Sequence, residues 1–390
     1  MTAHARSDRL RIYARTGDLP HSWDELAAPG GLGLDRRFLR SMEQSTGECS
    51  KRYLVYESPL GGTAFAVGDL LERPTTRDPV MSVLLGRMSR HIPAARQWVL
   101  PMLALGCDVS SDTPVVTDAD TAPERRRVFT ELLASIGSRA REEAWTVAVT
   151  GVPTHDTALT AALEQQGYIQ TLGRPFAELR LSYECWDAFL EAAATRSKSA
   201  AATIRKEFRS AAREDLRIVD WDPARVPEAR LCELLDEHER RLNNRAFRYD
   251  QTFLTKLADE LGTSVRILLA AQNEQLQGVV VLAWSGSRGY VLFPGMIPQS
   301  ERAGFAYFNL VYYAPIRLGF ELGLESLAFG NGVFPAKIRR GCHAVETSLF
   351  LRPRVPIIRA AARMPIALHR RVLSRKYASI LKAPAFSLLS

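Results

Sequence analysis

The sequence predicts an α+β (mixed α/β) protein with two similar lobes and a basic helical tail. The chain has 390 residues, which is long enough for two or three domains. Hydrophobic residues make up 46% and charged residues 24%, the balance of a soluble globular protein rather than of a disordered chain. Predicted strands and helices follow one another in an order that occurs twice, and this repetition indicates two lobes.

The positive charge of the chain is concentrated at its end. Nine Lys or Arg and no Asp or Glu lie between Arg352 and Ser390, whereas the whole chain has 51 basic and 43 acidic residues. A basic segment next to a nearly neutral body favours a polyanionic partner such as RNA or anionic lipid. The alternative is a solvated helix that packs on the body through its apolar residues.

The cysteines and the apolar runs argue against a secreted, metal-binding or membrane-spanning protein. The five cysteines are scattered without a CxxC motif, as in reduced cytosolic proteins. Cys232 and His238 do not share a helical face, and no HExxH motif occurs. The first residues have no apolar core and no run of about 18 apolar residues occurs, so we expect neither a secretory signal nor a membrane span. We expect a cytoplasmic protein without a metal site.

The first lobe is predicted to be rich in strands. Gly61 and Gly62 separate two strand-like runs, which indicates an antiparallel hairpin. Apolar residues at spacings of three and four indicate that the helix 123–143 is amphipathic. Gly167 marks the end of the next predicted helix. The residues 168–173 and 176–182 are predicted to close the lobe as a second hairpin. The other predicted strands are 52–58, 62–71, 98–106 and 144–152, and the predicted helices are 36–45, 123–143 and 154–168.

The second lobe is predicted to start with helices and to continue as an antiparallel meander, a long helix and a returning pair of strands. Within the long helix, Pro315 should free the carbonyl of Val311 and bend the helix. The predicted helices are 185–193, 198–215, 227–244, 250–262 and 303–323, and the predicted strands are 216–221, 264–273, 275–286, 288–296, 325–332 and 345–353. The predicted divisions of the chain are an N-terminal segment (1–36), the first lobe (37–182), the second lobe (183–352) and the basic tail (353–390).

Three separated stretches resemble Fem-like double-GNAT proteins, a group described as peptidoglycan biosynthesis or recognition proteins. The most specific stretch is 308–351, which resembles the last helix, the last strand and the Lys-Arg-Gly turn of that group. The stretches 22–27 with 38–45, and 199–221, resemble its opening pattern and its Fem helix and strand. The resemblance implies two tandem GNAT-like lobes and an acyltransferase or aminoacyltransferase. The chain departs from the group at Asn309, where an acidic residue is usual.

The resemblance also bears on the acyl donor. In GNAT enzymes that use coenzyme A, a Gly-rich run before the long helix cradles the pyrophosphate. In this chain Gly304 and Ala306 fit that run, whereas Glu301 at its start would repel a pyrophosphate. Coenzyme A is therefore the less favoured donor, and a plain helix start is the alternative interpretation. Arg302 in the same run is a candidate for substrate binding.

The turn beyond the predicted strand 325–332 contains one group of candidate site residues. The resemblance implies that Lys337 corresponds to a lysine that binds a phosphate-bearing substrate and supports transfer, and a flexible positive charge suits this role. Arg339 and Arg340 are predicted to bind substrate beside it. Asn331 is predicted to orient an amine or carbonyl, and Tyr307 lies off the line of core aromatics and is predicted to face a cleft. A solvated turn is the alternative.

A second group of candidates lies at the exit of the helix 227–244. Arg241, Arg245 and Tyr249 are predicted to bind a phosphate or carboxylate, as the equivalent helix exit does in Fem-like enzymes. A solvated helix end is the alternative. Cys342 has no partnered base other than the neighbouring His343, so a cysteine nucleophile is disfavoured.

Together these observations predict a transferase that forms an amide bond in specialised metabolism. We expect it to move an aminoacyl group from aminoacyl-tRNA, bound through the basic tail, to a small amine or amide-type acceptor. No bound cofactor is expected, because the donor is a co-substrate. Two alternatives stay open: an N-acyltransferase that depends on acyl-coenzyme A or acyl-carrier protein, and a non-catalytic double-GNAT protein that binds a cell-wall precursor or anionic lipid. Contact with a membrane surface is not favoured.

Overall fold

The computed structural model describes residues 9–26, 30–45, 50–73, 99–107, 112–143, 145–303 and 305–381. In this part of the chain the strands form two sheets, of eight and seven strands, with helices packed on them. The mixed α/β class predicted from the sequence is confirmed. No helix in the described part is long and apolar enough to cross a membrane.

The secondary structure follows the predicted order of strands and helices closely. The strands are β1 Leu10–Tyr13, β2 Ser50–Glu57, β3 Thr63–Leu71, β4 Met102–Leu105, β5 Val115–Thr117, β6 Thr146–Pro153, β7 Ile169–Leu172, β8 Phe176–Arg180, β9 Leu216–Asp220, β10 Val265–Gln272, β11 Gln275–Ser285, β12 Arg288–Met296, β13 Ser326–Ala328, β14 His343–Val345 and β15 Thr347–Arg352. The α-helices are α1 Ser22–Leu26, α2 Arg36–Glu43, α3 Ala122–Glu142, α4 Thr157–Gln165, α5 Trp186–Arg196, α6 Lys198–Arg213, α7 Glu228–Asn243, α8 Phe253–Leu261, α9 Pro298–Ala303, α10 Phe305–Phe308, α11 Ala314–Glu321, α12 Phe334–Arg339 and α13 Pro356–Leu381.

The first compact unit comprises Met1–Glu43, Gly47–Pro175 and Glu346–Ser379. Its sheet has the strand order β1-β2-β3-β4-β6-β15-β7, and β5 also pairs with β3. The hairpin predicted at Gly61 and Gly62 is confirmed: β2 and β3 pair antiparallel, and both glycines have positive φ. Helix α3 begins with a capping box and buries its apolar stripe in the core of this unit, as its spacing predicts.

The second compact unit comprises Gln44–Thr46, Phe176–Val345 and Ile380–Ser390. Its sheet has the strand order β14-β8-β13-β12-β11-β10-β9. The predicted antiparallel meander is confirmed in β10, β11 and β12, whereas β12 and β13 pair in parallel. The core on this sheet is built from apolar residues of α5, α6 and the helices that follow β12.

Each sheet takes one strand that the sequence analysis assigned to the other lobe. The predicted hairpin of 168–173 and 176–182 is wrong, because β7 pairs with β15 and β8 pairs with β13 and β14. Gly173 donates its N–H to the carbonyl of Thr347, so the chain does not reverse there. The units accordingly change at 175/176 and 345/346, in place of the predicted boundaries at 182/183 and 352/353.

The long helix predicted at 303–323 is interrupted. It contains α10, a π turn at Asn309–Tyr313 and α11, and residue 304 lies outside the described residues. Pro315 is the second residue of α11 and has no N–H to donate to the carbonyl of Val311. The predicted disturbance at this proline therefore takes the form of a wider helical turn before it.

The basic tail forms the helix α13, which runs from Pro356 to Leu381. Its residues Ala362 and Ile366 are buried among Leu71, Leu349 and Leu351 in the first unit. Lys382, the last basic residue of the tail, lies outside the described residues. The helix is thus anchored on one side by apolar packing, and its basic residues are distributed over the remaining surface.

Candidate active site

A short turn after β13 buries Lys337 in the second unit. The chain leaves β13 through Phe329 and Gly330, whose φ of +65° suits glycine, and enters α12 at Phe334. Lys337 lies on α12 and is 6% exposed. Its Nζ donates to the carbonyl oxygens of Phe329 at 2.6 Å and of Gly330 at 3.0 Å. The alternative of a solvated turn is therefore wrong for this lysine.

Burial changes the acid–base behaviour of Lys337. Desolvation of the charged form lowers its pKa to about 8. The two carbonyl acceptors need two N–H donors, and a neutral amine still has two. The neutral form can therefore keep both hydrogen bonds while its lone pair accepts a proton. A group with a pKa near the working pH is suited to general acid–base catalysis.

Arg340, three residues beyond Lys337, forms an ion pair with Glu207 of α6. Arg340 is 2% exposed, and its Nη2 lies 2.7 Å from both carboxylate oxygens of Glu207. Its Nη1 donates to the carbonyl of Ala336 at 2.9 Å, and its Nε donates to the hydroxyl of Tyr313 at 3.0 Å. Because these internal contacts occupy the guanidinium, we interpret Arg340 as a positioning residue for the turn rather than as a substrate contact.

The same network fixes the helix after β12. The guanidinium carbon of Arg340 lies 3.3 Å from the centre of the Phe308 ring, within the range of a cation–π interaction. The hydroxyl of Tyr313 donates to the Glu207 carboxylate. Since Tyr313 and Phe308 belong to the interrupted helix, the ion pair joins that helix to α6 and α12.

The π turn brings an amide side chain into this network. Asn309 donates from Nδ2 to the carbonyl of Phe305 at 2.7 Å and to the carbonyl of Glu207 at 3.1 Å. π turns inside α-helices are frequent at functional sites. In the resembled group this position is usually acidic, whereas in this chain it supplies hydrogen-bond donors. Asn309 is 5% exposed and therefore supports the helix junction.

Cys342 follows the turn and is buried as a thiol. Burial raises its pKa to about 12, so the thiolate is scarce at neutral pH. The neighbouring His343 faces Glu178 with its Nε2, which lies 3.5 Å from a carboxylate oxygen of that residue. This geometry agrees with the sequence analysis, which disfavoured a cysteine nucleophile.

The other candidates near the turn are more exposed than Lys337. Asn331 and Arg339 are exposed on either side of the buried lysine in sequence. Tyr307 is half-buried, and its ring packs edge-on against Phe308 and Tyr312, with centroid distances of 5.4 and 6.0 Å. Tyr307 thus belongs to the aromatic group around the network, whereas Asn331 and Arg339 are exposed to solvent.

The candidates at the exit of α7 contact other residues of the second unit, and Arg241 also donates to the carbonyl of Met296 on β12 at 3.4 Å. Arg241 contacts His238 on its own helix, and Arg245 pairs with Glu239 at 2.7 Å. Tyr249 is buried and stacks on Phe253 with a centroid distance of 3.9 Å. The side chain of the remaining candidate, Arg302, lies outside the described residues. The described geometry therefore centres on Lys337.

Helix α6, which supplies Glu207, has a strongly basic exposed face. Five exposed cations lie within an arc of about 100° on this helix. No ion pair joins any of them to another residue in the described ranges. The opposite side of the helix is buried through Ala201 and Ile204. The five cations are Lys198, Arg205, Lys206, Arg209 and Arg213.

Comparison with models of protein families gives a match that covers more than half of the chain. The model of the FemAB-like family, described as peptidoglycan biosynthesis/recognition, matches residues 116–380. This range includes Lys337, Glu207 and the main segment of the second unit, Phe176–Val345. The chain belongs to the FemAB-like family. A search of curated protein sequences gives no match.

Solved structures of other proteins have the same fold as this FemAB-like chain. It is similar to the C-terminal domain of a putative lysylphosphatidylglycerol synthetase from Agrobacterium fabrum, with 13% identity, a TM-score of 0.52 and coverage of 96% of this chain and 98% of that one. It is also similar to FemX, with 11% identity, a TM-score of 0.52 and coverage of 90% and 96%. The chain shares its fold with these two proteins, and the protein is an acyltransferase of the Fem-like group.

Glu207 is the central residue of this FemAB-like site that the sequence analysis missed. Its partner Arg340 is 133 residues away in the chain, and no local pattern links them. One signal was present: Glu207 is the only acid in α6 and lies near Ile204 and Ala211 on the buried face. A lone carboxylate on an apolar helix face indicates a buried ion pair.

Proposed function

We propose that this FemAB-like protein transfers an aminoacyl group from aminoacyl-tRNA to a small amine, with Lys337 as its acid–base group. The observation that carries the proposal is the buried ε-amine, whose pKa of about 8 allows both protonation states near neutral pH. Acyl transfer to an amine needs one group that removes a proton from the nucleophile and returns a proton to the leaving group. Lys337 can do both.

The proposed step has a simple balance of bonds and protons. The nitrogen of the acceptor amine attacks the ester carbonyl of the aminoacyl group, and a C–N bond forms. Neutral Lys337 accepts the proton that the nitrogen loses. The bond between the carbonyl carbon and the ribose oxygen then breaks, and protonated Lys337 returns the proton to that oxygen. The products are an amide and deacylated tRNA, so no oxidant, reductant or metal is consumed.

We assign the tRNA contact to α6 in place of the tail. Five cations on one helix face suit a row of backbone phosphates, and phosphate binding needs no apolar contact. The same helix carries Glu207, whose ion pair with Arg340 holds the turn that contains Lys337. A phosphate backbone on α6 would therefore lie on the helix that orders the acid–base group.

The acceptor is proposed to be a small amine of specialised metabolism in the cytoplasm, as the sequence analysis expected. Arg339 and Asn331 are exposed beside the buried lysine and are available to contact it. Tyr307 is proposed to line the approach with its aromatic ring. A coenzyme A donor would need the run that begins at Glu301, where a carboxylate disfavours a pyrophosphate.

Two experiments test the proposal, one on the identity of the acyl donor and one on the role of Lys337. We expect amide formation from aminoacyl-tRNA with an amine, and loss of that activity after ribonuclease treatment. Lys337→Met should lower turnover by about 10²-fold or more, whereas the exposed control Arg230→Met should not change it. Full activity with acyl-coenzyme A in the presence of ribonuclease would refute the tRNA donor. Unchanged turnover of a folded Lys337→Met protein would refute the acid–base role.

A further inference from the structure

The tail helix α13 has an apolar face that the rest of the described chain leaves uncovered. Four large apolar side chains on it are strongly exposed: Ile357 (75%), Met364 (81%), Leu368 (62%) and Val372 (56%). At 100° per residue these positions fall within an arc of about 80° and extend for about 22 Å along the helix. These four side chains lie on one face of the helix, and we call them the outer stripe.

The outer stripe is distinct from the face by which the helix is anchored. Ala362 and Ile366 are buried, and on the helical wheel they lie opposite the outer stripe. The helix is therefore held by one apolar face while a second one points to solvent. Packing on the body explains the first face but leaves the second without a partner, and exposed strips of this kind mark interaction sites.

The charges around the outer stripe identify the chemistry of a partner. Arg371 and Lys376 flank the stripe on its two sides, and Arg375 continues its line toward the end of the helix. All three are exposed. The chain has no acidic residue from Arg352 onward, so the helix itself offers these cations no carboxylate. A matching surface must be both apolar and negatively charged.

We propose that the outer stripe of α13 binds the surface of an anionic lipid bilayer. A helix with one apolar face bordered by Lys and Arg lies in the plane of the membrane interface, with its apolar side chains at the acyl boundary and its cations at the anionic headgroups. The helix does not span the bilayer. RNA matches the charges but not four exposed apolar side chains, and a protein partner would not require the flanking cations.

The test uses the full chain with vesicles of pure phosphatidylcholine and with vesicles that contain about 30% phosphatidylglycerol. The protein should sediment with the anionic vesicles only. The outer-stripe variant M364Q/L368Q/V372Q should bind them at least about tenfold more weakly. The control Leu242→Gln removes an apolar side chain that is 53% exposed on α7 and should bind like the unmodified protein.

A charge variant tests the contribution of the cations separately from that of the apolar side chains. R371Q/R375Q/K376Q should also lower binding to anionic vesicles at least about tenfold, and added salt should reproduce part of that loss. The proposal is overturned if the unmodified protein ignores anionic vesicles or if the outer-stripe variant binds them normally. It is equally overturned if that variant instead loses tRNA affinity, or converts a dimer to a monomer, with vesicle binding unchanged.

Discussion

Two basic helices of this protein, α6 and α13, have similar charge but different surfaces. The exposed face of α6 carries five cations without a large apolar side chain among them. The exposed face of α13 places its cations around Ile357, Met364, Leu368 and Val372. Both helices bury a second, apolar face, so in each case the exposed face is the part available to a partner.

The difference shows that net charge does not identify a partner by itself. A purely charged face suits a hydrated polyanion, because counterion release needs only cations and phosphates. A face that mixes cations with exposed apolar side chains suits an interface that is anionic outside and apolar inside. The helices also differ in their contacts inside the protein. Helix α6 contributes Glu207 to the network around Lys337, whereas α13 packs in the first unit.

The largest effect is expected from Glu207, the residue of α6 that pairs with the buried Arg340. Glu207→Ala leaves Arg340 buried without its carboxylate and should lower the free energy of unfolding by about 3–5 kcal/mol. Arg205→Ala removes an exposed cation from the same helix and should change the free energy of unfolding by no more than about 0.5 kcal/mol. Urea unfolding of both variants measures the two values. Equal effects would show that Glu207 does not anchor the helix.

A matched pair on α13 tests its two apolar faces. Ile366→Ala removes a side chain that is 2% exposed and should cost about 2–4 kcal/mol of unfolding free energy. Met364→Ala removes a side chain that is 81% exposed and should cost less than about 0.5 kcal/mol. Thermal unfolding ranks the two variants. A larger loss for Met364→Ala would mean that the outer stripe is covered.

A smaller effect is expected in the pH dependence of the free energy of unfolding, which reports on Lys337 in the site that α6 supports. The pKa of Lys337 is lowered to about 8 in the folded protein, so between pH 8 and its ordinary value the unfolded chain binds more protons. Stability therefore rises with pH in this window, by about 1.5 kcal/mol between pH 8 and 9.5 from this group. Lys337→Met should remove that rise. An identical pH dependence of the two proteins would place the lysine in solvent.

Much of the fold could be predicted from the sequence because helices and strands have local periods. The hairpin at Gly61 and Gly62, the amphipathic α3 and the meander β10 to β12 all follow from spacing. The pairing of β7 with β15 could not be predicted in this way. A strand pattern shows which residues face a core, but not which distant strand lies beside it.

The candidate site was predictable only where the chain resembles a family. Lys337 was found through the Lys-Arg-Gly turn, but its burial depends on the carbonyls of Phe329 and Gly330. Glu207 was missed because its partner is far away in sequence. The outer stripe was missed because the tail was assessed by its charge, although Met364, Leu368 and Val372 recur every four residues.

The central claim, that α6 binds RNA and α13 does not, is tested most directly by the salt dependence of tRNA binding. Filter binding from about 50 mM to about 400 mM salt compares the unmodified chain with K198Q/R205Q/R209Q and with R371Q/R375Q/K376Q. The α6 variant should bind more weakly, with a slope of log affinity against log salt that is shallower by about 2, and the α13 variant should match the unmodified chain. A shallower slope for the α13 variant, with the α6 variant unchanged, would contradict the account.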